Sequence, residues 1–243
     1  MILAGGAGKR MGAKVSKVLV CLADKPMLIQ TIETANRLGP DEIVIVCPPS
    51  SLAIKRCLFG HLPGDVLNKI VYVRQDRPLG TGHAVLAAKA HFDRNPTTLL
   101  VLPADVPLVS LKMLQDLVDS HRGTATILTT WLDTPTGNGR IILDSAGQFD
   151  KIQEEKDCTP EQRAIQLVNA GIYVFDTTVL YDILPHVGNT NAQHEYYITD
   201  VFELLRTRGV PINAVFTRDS SRLINVNSPA DLERASKFFP KLN

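Results

Sequence analysis

The chain has 243 residues, of which 44% are hydrophobic and 21% charged, and its formal net charge is +1. This composition is typical of a soluble globular protein and gives no broadly basic surface for nucleic acid or anionic membranes. No apolar run approaches the roughly 20 residues that span a membrane, and no signal-peptide pattern opens the chain, so we expect a cytoplasmic protein.

The first half alternates short apolar runs with amphipathic segments. Pro26 suits the first turn of a helix, and Gly39 is a plausible stop after its last apolar residue. Strands separated by helices indicate a parallel sheet with right-handed crossovers. Strands are predicted at residues 2–4, 42–47, 69–73, 98–102 and 124–131, and helices at 26–38, 82–91 and 110–120.

The pattern changes after about residue 133. Asp144-Ser145-Ala146-Gly147 separates two short strand-like runs and predicts a hairpin. Ser228-Pro229 has the form of an N-cap followed by a first-turn proline, which predicts a last helix. Further strands are predicted at 166–175 and 212–216, and further helices at 177–184 and 198–208. We therefore expect one α/β domain over residues 1–243, with lobes at 1–132 and 133–243.

A glycine-rich loop follows the first predicted strand directly. Its glycines in Gly5-Gly6-Ala7-Gly8 would let backbone N–H groups wrap an anion, and Lys9-Arg10 adds positive charge. The Walker motif fails, because Gly8-Lys9 is followed by arginine. The dinucleotide fingerprint fails too, because Met11 stands in its third glycine position. Taken alone, the loop could equally be a tight strand-to-helix connection.

The residues after the loop give it a context. The stretch from Leu3 through Met11, with Lys17-Val18-Leu19 shortly after it, resembles the signature L-A-A/G-G-x-G-x-R-M…P-K-x-L of sugar-nucleotide pyrophosphorylases. Ser16 replaces the usual proline before the lysine and leaves the lysine's charge in place.

More segments, in order, resemble bacterial N-acetylglucosamine-1-phosphate uridyltransferases. The resemblance covers essentially the whole chain and implies a Rossmann-like nucleotide-diphospho-sugar transferase fold. That fold is a mostly parallel mixed sheet flanked by helices, with a small sugar-binding lobe that contains a β-hairpin. The matching segments are Gln75 to Ala84, Asp105 to Leu108, Asp133 to Ile141, Glu154 to Asp157, Asn169 to Ile172 and Glu195 to Asp200.

Bacterial members of this family usually continue into a left-handed β-helix that acetylates glucosamine 1-phosphate. This chain carries no hexapeptide repeat, so we expect it to lack the acetyltransferase activity. Because the β-helix is the usual trimer-forming element, we expect a monomer or a homodimer.

The resemblance implies that UTP and N-acetylglucosamine 1-phosphate give UDP-N-acetylglucosamine and pyrophosphate. Arg10 and Lys17 would be the catalytic cations, and Asp105 with Asn227 would hold Mg²⁺, a hard ion that takes oxygen ligands. Each has a simpler interpretation. The cations could be solvated surface residues, Asp105 could cap the helix after residue 109, and Asn227 could cap the last helix.

The resemblance also assigns two sets of binding residues. Gln75 could be merely a polar strand end, and Glu154 merely a surface acid. The nucleotide-binding set is Leu3, Ala4, Gly5, Gly6, Gln75, Gly80 and Thr81. The sugar-binding set is Ala104, Gly139, Glu154, Asn169, Tyr197 and Thr199.

Several positions depart from the family pattern. Pro103-Ala104 stands where Tyr-Gly is usual, Ala170 replaces a threonine, and Asn225 replaces a glycine. These changes lie at the expected sugar end and leave the phosphate end intact. Two alternatives therefore stay open: the same chemistry with another triphosphate or another sugar 1-phosphate such as glucose 1-phosphate, and a non-catalytic nucleotide-sugar sensor.

Overall fold

The structure is a computed structural model that describes residues 1–6, 16–93 and 96–239. The described residues form an α/β fold. Its strands are β1 (Ile2–Leu3), β2 (Cys21–Leu22), β3 (Lys25–Pro26), β4 (Ile43–Cys47), β5 (Ile70–Arg74), β6 (Thr98–Pro103), β7 (Ala125–Trp131), β8 (Arg140–Leu143), β9 (Phe149–Gln153), β10 (Leu167–Asp176) and β11 (Ile212–Thr217). Its helices are α1 (Met27–Asn36), α2 (Leu52–His61), α3 (Gly64–Leu67), α4 (Thr81–Leu86), α5 (Lys89–Phe92), α6 (Leu111–Asp119), α7 (Pro160–Arg163), α8 (Thr177–Ile183), α9 (Asp200–Thr207) and α10 (Pro229–Phe238).

The chain divides into two compact units, and the first contains a parallel sheet. This unit comprises Met1–Pro78, Leu102–Gln115 and Ser221–Asn243. Within it, β1 pairs with β4 on one side and with the end of β6 on the other, and β4 pairs with β5. Every residue of β4 is buried, as expected for a parallel strand covered on both faces.

A small apolar core packs against α10 in the first unit. Its members come from the β2–β3 hairpin, from the start of α1, from the segment after β6 and from the residues around α10. They are Leu22, Met27, Leu108, Ile224, Val226 and Ala235. The chain just before α10 is therefore anchored by burial as well as by hydrogen bonds.

The second unit is built around β10. It comprises Leu79–Val101 and Asp116–Ser220. Within it, β10 runs antiparallel to β6, β7 and β8, while β11 runs parallel to β7 and β9 pairs antiparallel with β8. The β10–β7 register shifts between Asn169 and Tyr173, which marks a bulge. This unit therefore has the mixed sheet and the β8–β9 hairpin that the sequence predicts.

The predicted fold class is confirmed, and most predicted elements agree with the structure within a few residues. The predicted helix at 82–91 is wrong as a single element, because Ala88 has ψ near 0° and separates α4 from α5. The sequence did not predict α2, α3, α7 or the β2–β3 hairpin. The compact units do not divide the chain at residue 132, since residues 79–101 and 116–132 group with the second unit. The functional boundary between a nucleotide-binding lobe and a sugar-binding lobe stays a prediction. Among the described residues, no helix has the length and apolar character needed to cross a membrane.

Candidate active site

The first unit brings Gly5 close to Gln75. Leu3 ends β1, and Ala4 after it is fully buried. A Cβ atom added to Gly5 would lie 2.7 Å from Oε1 of Gln75, so only a glycine lets this amide approach the loop so closely. Gly6 is exposed and has open space around its Cα. The structure thus places the predicted nucleotide-binding residues Gly5 and Gln75 side by side.

Lys17, Asp105 and Asn227 form one hydrogen-bonded group in the first unit, called the lysine cluster below. The Lys17 ammonium forms a salt bridge with Asp105 and donates a hydrogen bond to Oδ1 of Asn227 at 2.9 Å. The side chains of Lys17 and Asp105 are only 10% and 17% exposed. Three residues predicted to act together, up to 210 positions apart in sequence, therefore meet at one point. The remaining predicted cation, Arg10, lies outside the described residues.

The donor set of the lysine cluster fits a hard cation. A carboxylate and a side-chain amide carbonyl converge on a single positive group, and these are the oxygen ligands that Mg²⁺ and Ca²⁺ take in proteins. No group of three or more His, Cys, Asp or Glu among the described residues is arranged to hold a metal. Asp105 and Asn227 thus offer two oxygens, and any further ligands would come from elsewhere.

The end of β6 and the segment just before α10 bring these side chains together. Asp105 follows β6, at the carboxyl end of a strand that is parallel to β1, where open α/β sheets bind ligands. The N–H of Val226 donates to the Asp105 carbonyl at 2.9 Å, which joins the two segments just before Asn227. The simpler interpretations as helix caps are not observed, because Ser228 caps α10 and Ser110 Oγ accepts from the first turn of α6.

The second unit holds Gly80 and Thr81 against the segment around Tyr196. The N–H of Gly82 donates to the Tyr196 carbonyl at 2.7 Å, and Thr81 Oγ1 accepts from the N–H of Ile198 at 3.1 Å. Gly80 has φ +111°, and a Cβ atom there would lie 2.5 Å from the Tyr196 carbonyl oxygen. Glycine is therefore required by both the backbone conformation and the space.

Four predicted sugar-binding residues also meet in the second unit. This group of Gly139, Glu154, Asn169 and Thr199 is called the glutamate cluster below. Thr199 Oγ1 donates to Oε1 of Glu154 at 2.9 Å, and the N–H of Asn169 donates to the Gly139 carbonyl at 2.9 Å. A Cβ atom on Gly139 would lie 3.6 Å from Cδ of Glu154. The predicted Ala104 is not in this unit, since it belongs to the first unit beside Asp105.

Internal hydrogen bonds orient the polar groups around the glutamate cluster. Asn169 donates through Nδ2 to the Tyr173 hydroxyl at 2.7 Å and accepts through Oδ1 from the N–H of Gly171 at 2.8 Å. The Tyr197 hydroxyl accepts from Nε2 of Gln193 at 2.8 Å. An amide has two N–H groups and two lone pairs, so these two bonds use one of each in Asn169.

The glutamate cluster has an acidic and desolvated environment. Burial raises the pKa of Glu154, and the carboxyl groups of Asp157 and Glu195 raise it further, while the bond from Thr199 opposes this. Burial, followed by the charge of Glu154, raises the pKa of neighbouring Asp200 to about 6. Such carboxyl groups favour hydrogen bonds to a neutral, hydroxylated ligand over contact with an anionic ligand.

Sequence reasoning missed the buried Arg140, which holds the turn before Gly139. Its side chain is 1% exposed, donates to the Asn138 carbonyl and pairs with Oε2 of Glu155 at 2.6 Å. The same Glu155 oxygen accepts from the N–H of Gly137 at 3.3 Å. A glycine-rich turn followed at once by arginine and an apolar strand is the signal that could have indicated this role.

Comparison with known proteins places the whole arrangement in a family. The sequence model of the family described as "Nucleotidyl transferase" matches residues 1–221. The chain is similar to the "Bifunctional protein GlmU" of Geobacter metallireducens, with 37% identity over 98% of this chain and 49% of the relative. It is also similar to the protein of the same name from Geobacillus sp., with 38% identity over 98% of this chain and 51% of the relative. The chain thus spans about half the length of the curated relatives it matches.

A solved structure supports the fold independently. The structure described as UDP-glucose pyrophosphorylase complexed with UDP-glucose aligns with 100% of this chain and 98% of its own, with a TM-score of 0.77. Sequence identity with it is 19%, so this likeness bears on the fold alone.

Proposed function

The chain belongs to the nucleotidyl transferase family, and we propose that it makes UDP-N-acetylglucosamine and pyrophosphate from UTP and N-acetylglucosamine 1-phosphate. The observation that carries this proposal is the lysine cluster. It combines a cation suited to phosphate with two oxygen donors suited to a divalent ion, in a buried position after β6. A protein that only bound sugar nucleotides would have no need of that complete set.

The proposed reaction needs charge stabilisation more than proton transfer. A phosphate oxygen of the sugar 1-phosphate attacks the α-phosphorus of UTP, and the bond from that phosphorus to the β-phosphate bridging oxygen breaks. The second pKa of a phosphate monoester is about 6, so the nucleophile is largely deprotonated at neutral pH. Pyrophosphate leaves with the electron pair, and no general base is required. Positioning and electrostatics then supply the rate.

Lys17 is proposed to stabilise the negative charge that develops on the transferring phosphate. Its ammonium is held in place by Asp105 and Asn227, and its aliphatic stem is buried. The side chain therefore loses little conformational entropy when it binds a phosphate. Arg10 is proposed to bind the triphosphate, where a guanidinium can contact two oxygens at once.

Asp105 and Asn227 are proposed to hold Mg²⁺. When bound, this ion would neutralise phosphate charge. The two residues fit that role because their oxygens already converge on a positive charge. Mg²⁺ commonly keeps waters and substrate phosphates as its other ligands, so two protein oxygens are sufficient.

The remaining predicted residues are proposed to select the two substrates. Gln75 would contact the uracil edge, whose acceptors and donor match an amide. Gly80 and Thr81 are likewise proposed to bind the nucleotide. The glutamate cluster, with Tyr197, would contact the sugar hydroxyls and the acetamido group. Leu3, Ala4, Gly5 and Gly6 are proposed to bind the nucleotide, and Ala104 is proposed to bind the sugar.

One alternative has a specific observation in its favour. The fold neighbour was solved with UDP-glucose, and Ala170 stands in this chain where the family pattern has threonine. The same chemistry with glucose 1-phosphate, or with a triphosphate other than UTP, is therefore the second candidate.

A substrate panel tests the proposal. Pyrophosphate release is measured for UTP, GTP, dTTP and CTP, each with N-acetylglucosamine 1-phosphate, glucose 1-phosphate and mannose 1-phosphate, with and without Mg²⁺. We expect the highest kcat/KM for UTP with the N-acetylated sugar. A preference for glucose 1-phosphate would overturn the substrate assignment. Sugar-nucleotide binding in calorimetry without any Mg²⁺-dependent turnover would instead identify a sensor.

A further inference from the structure

The start of α10 has a hydrogen-bond arrangement that goes beyond capping. Ser228 and Asp231 form a capping box, in which Ser228 Oγ accepts from the N–H of Asp231 at 3.3 Å. In return, Oδ2 of Asp231 accepts from the N–H of Ser228 at 2.9 Å and from its hydroxyl at 2.8 Å. The same Oδ2 atom also accepts from the N–H of Asn227 at 3.1 Å.

A second capping box in the chain shows what is unusual here. At α7, Gln162 Oε1 accepts from the N–H of Thr159 at 3.0 Å, and Thr159 Oγ1 accepts from the N–H of Gln162 at 3.3 Å. These two bonds satisfy the helix end, as a capping box requires. The bond that the Asn227 N–H donates to Asp231 is therefore an addition, and Asn227 is one of the two residues proposed to hold the cation.

Asn227 is consequently held from several directions. Its N–H is bound by Asp231, and its Oδ1 accepts from Lys17 at 2.9 Å. The preceding residue, Val226, is fully buried and is tied to the Asp105 carbonyl at 2.9 Å. Asp231 and Val226 thus fix the backbone at Asn227, while Lys17 contacts its side-chain oxygen.

We propose that Asp231 is a positioning residue that orients Asn227 for the divalent cation. The proposal rests on the proposed function, since it assumes that Asp105 and Asn227 hold the ion. Groups that orient metal ligands typically contribute 10- to 100-fold to metal affinity or activity, so an effect of about tenfold is expected.

The test is a Mn²⁺ titration of the full chain followed by electron paramagnetic resonance. Asp231→Ala removes the acceptor, and we expect the Mn²⁺ dissociation constant to rise about tenfold. Asp231→Asn keeps an acceptor oxygen, and we expect it to restore most of the affinity. In turnover assays, Asp231→Ala should need more Mg²⁺ for half-maximal activity while retaining most of its kcat at saturating Mg²⁺.

Two variants separate positioning from helix stability. Ser228→Ala removes the cap hydroxyl but leaves Oδ2 of Asp231 free to hold Asn227, so it should lower the melting temperature and spare Mn²⁺ affinity. Thr159→Ala removes the matched cap at α7 and should behave likewise. A loss of affinity in Ser228→Ala equal to that in Asp231→Ala would overturn the proposal, as would Mn²⁺ binding by Asp231→Ala with unchanged affinity.

Two further measurements keep the outcomes distinct. Asp105→Asn is titrated in parallel: unchanged Mn²⁺ binding there would reject the proposed cation site itself, whatever Asp231 does. If Asp231→Ala does not fold, amide hydrogen exchange of the unmodified chain replaces it. The Asn227 N–H is expected to be protected, and exchange at the rate of an unstructured amide would overturn the role of Asp231.

Discussion

The lysine cluster and the glutamate cluster handle charge in opposite ways. In the first, the buried Lys17 ammonium forms a salt bridge with the Asp105 carboxylate and a hydrogen bond with the Asn227 side-chain carbonyl. In the second, no Lys or Arg of the described residues pairs with Glu154, and its bonding partner is the neutral hydroxyl of Thr199. Burial and nearby acids raise the pKa of Glu154.

This difference indicates what each region is built to bind. A preformed ion pair can exchange partners when a polyanion and a metal ion arrive, because the total charge stays balanced. A desolvated carboxyl without a cation favours a neutral, hydroxylated ligand over a phosphate. The chemistry of the first cluster therefore suits a phosphate and that of the second a sugar, as proposed above, and the predictions below test each cluster separately.

The largest effect is expected for Asp105→Asn. The substitution keeps the shape but removes the negative charge that balances Lys17 and would bind the cation. Losing one electrostatic contact to the transition state costs about 10²- to 10³-fold in kcat, and we expect turnover to fall by at least that much. Pyrophosphate release measures it, with circular dichroism to verify folding.

Asp65→Asn is the matched control for this charge change. Asp65 is exposed in the first turn of α3, so its loss should leave turnover unchanged. Near-normal activity of Asp105→Asn would remove Asp105 from the site.

Lys17→Met is expected to give a loss of about 10²-fold in turnover, because the transferring phosphate loses a fixed positive group. The same substitution should strengthen metal binding although it weakens turnover. Without nucleotide, the ammonium competes with a metal ion for Asp105 and Asn227, so the variant should bind Mn²⁺ more tightly than the unmodified chain. Electron paramagnetic resonance measures this.

Lys25→Met controls for the loss of a lysine in the same region. Lys25 pairs with Glu33 at 2.8 Å and is 44% exposed, so neither turnover nor Mn²⁺ affinity should change. Weaker Mn²⁺ binding by Lys17→Met would show that the lysine supports the ion instead of competing with it.

The sequence indicated the three residues of the lysine cluster but not the hydrogen bond with Asp231 that fixes Asn227. Lys17, Asp105 and Asn227 stand in recognisable motifs, and the Ser228-Pro229 pair indicated the helix that follows. The bond that the Asn227 N–H donates to Asp231 was not predictable, because it depends on how the backbone bends before the cap. The direction of β10 was not predictable either. The sequence predicts a strand at residues 166–175, but its antiparallel direction depends on how its connections cross the sheet.

In the second unit, Gly80→Ala should be strongly destabilising. Its φ of +111° lies in a region that is essentially confined to glycine, which costs about 1–3 kcal/mol for other residues. The added Cβ atom would also meet the Tyr196 carbonyl at 2.5 Å, so the two segments must separate. We expect a loss of about 3 kcal/mol or more in the free energy of unfolding, measured by urea denaturation.

Gly147→Ala isolates the conformational part of that cost. Gly147 has φ +74° in the β8–β9 turn, with no atom within 4 Å of an added Cβ. Its substitution should cost about 1–2 kcal/mol, the cost of a left-handed residue alone. Equal losses in the two variants would mean that the close approach of Gly80 to Tyr196 contributes nothing.

The smallest effect concerns Asp200 and depends on pH. Burial and the charge of Glu154 raise its pKa from the usual 3.8 to about 6, so the folded chain holds a proton that the unfolded chain releases. The stability from this proton is complete below about pH 4 and is lost as the pH rises through 6. The neighbours Glu203, Asp157 and Lys151 shift this range less than burial does.

Asp200→Asn should therefore be more stable than the unmodified chain at pH 7.5 and no more stable at pH 4. After allowance for solvent screening of a partly exposed group, we expect about 1 kcal/mol, or about 2–4 °C in Tm for a chain of this size. Thermal unfolding of the two chains at several pH values measures the difference. Asp65→Asn, an exposed change in the first turn of α3 that is not among the causes of this shift, is the control. A pH-independent difference would show that Asp200 is ionised throughout, and the region would then suit a ligand with a positive group better than a neutral sugar.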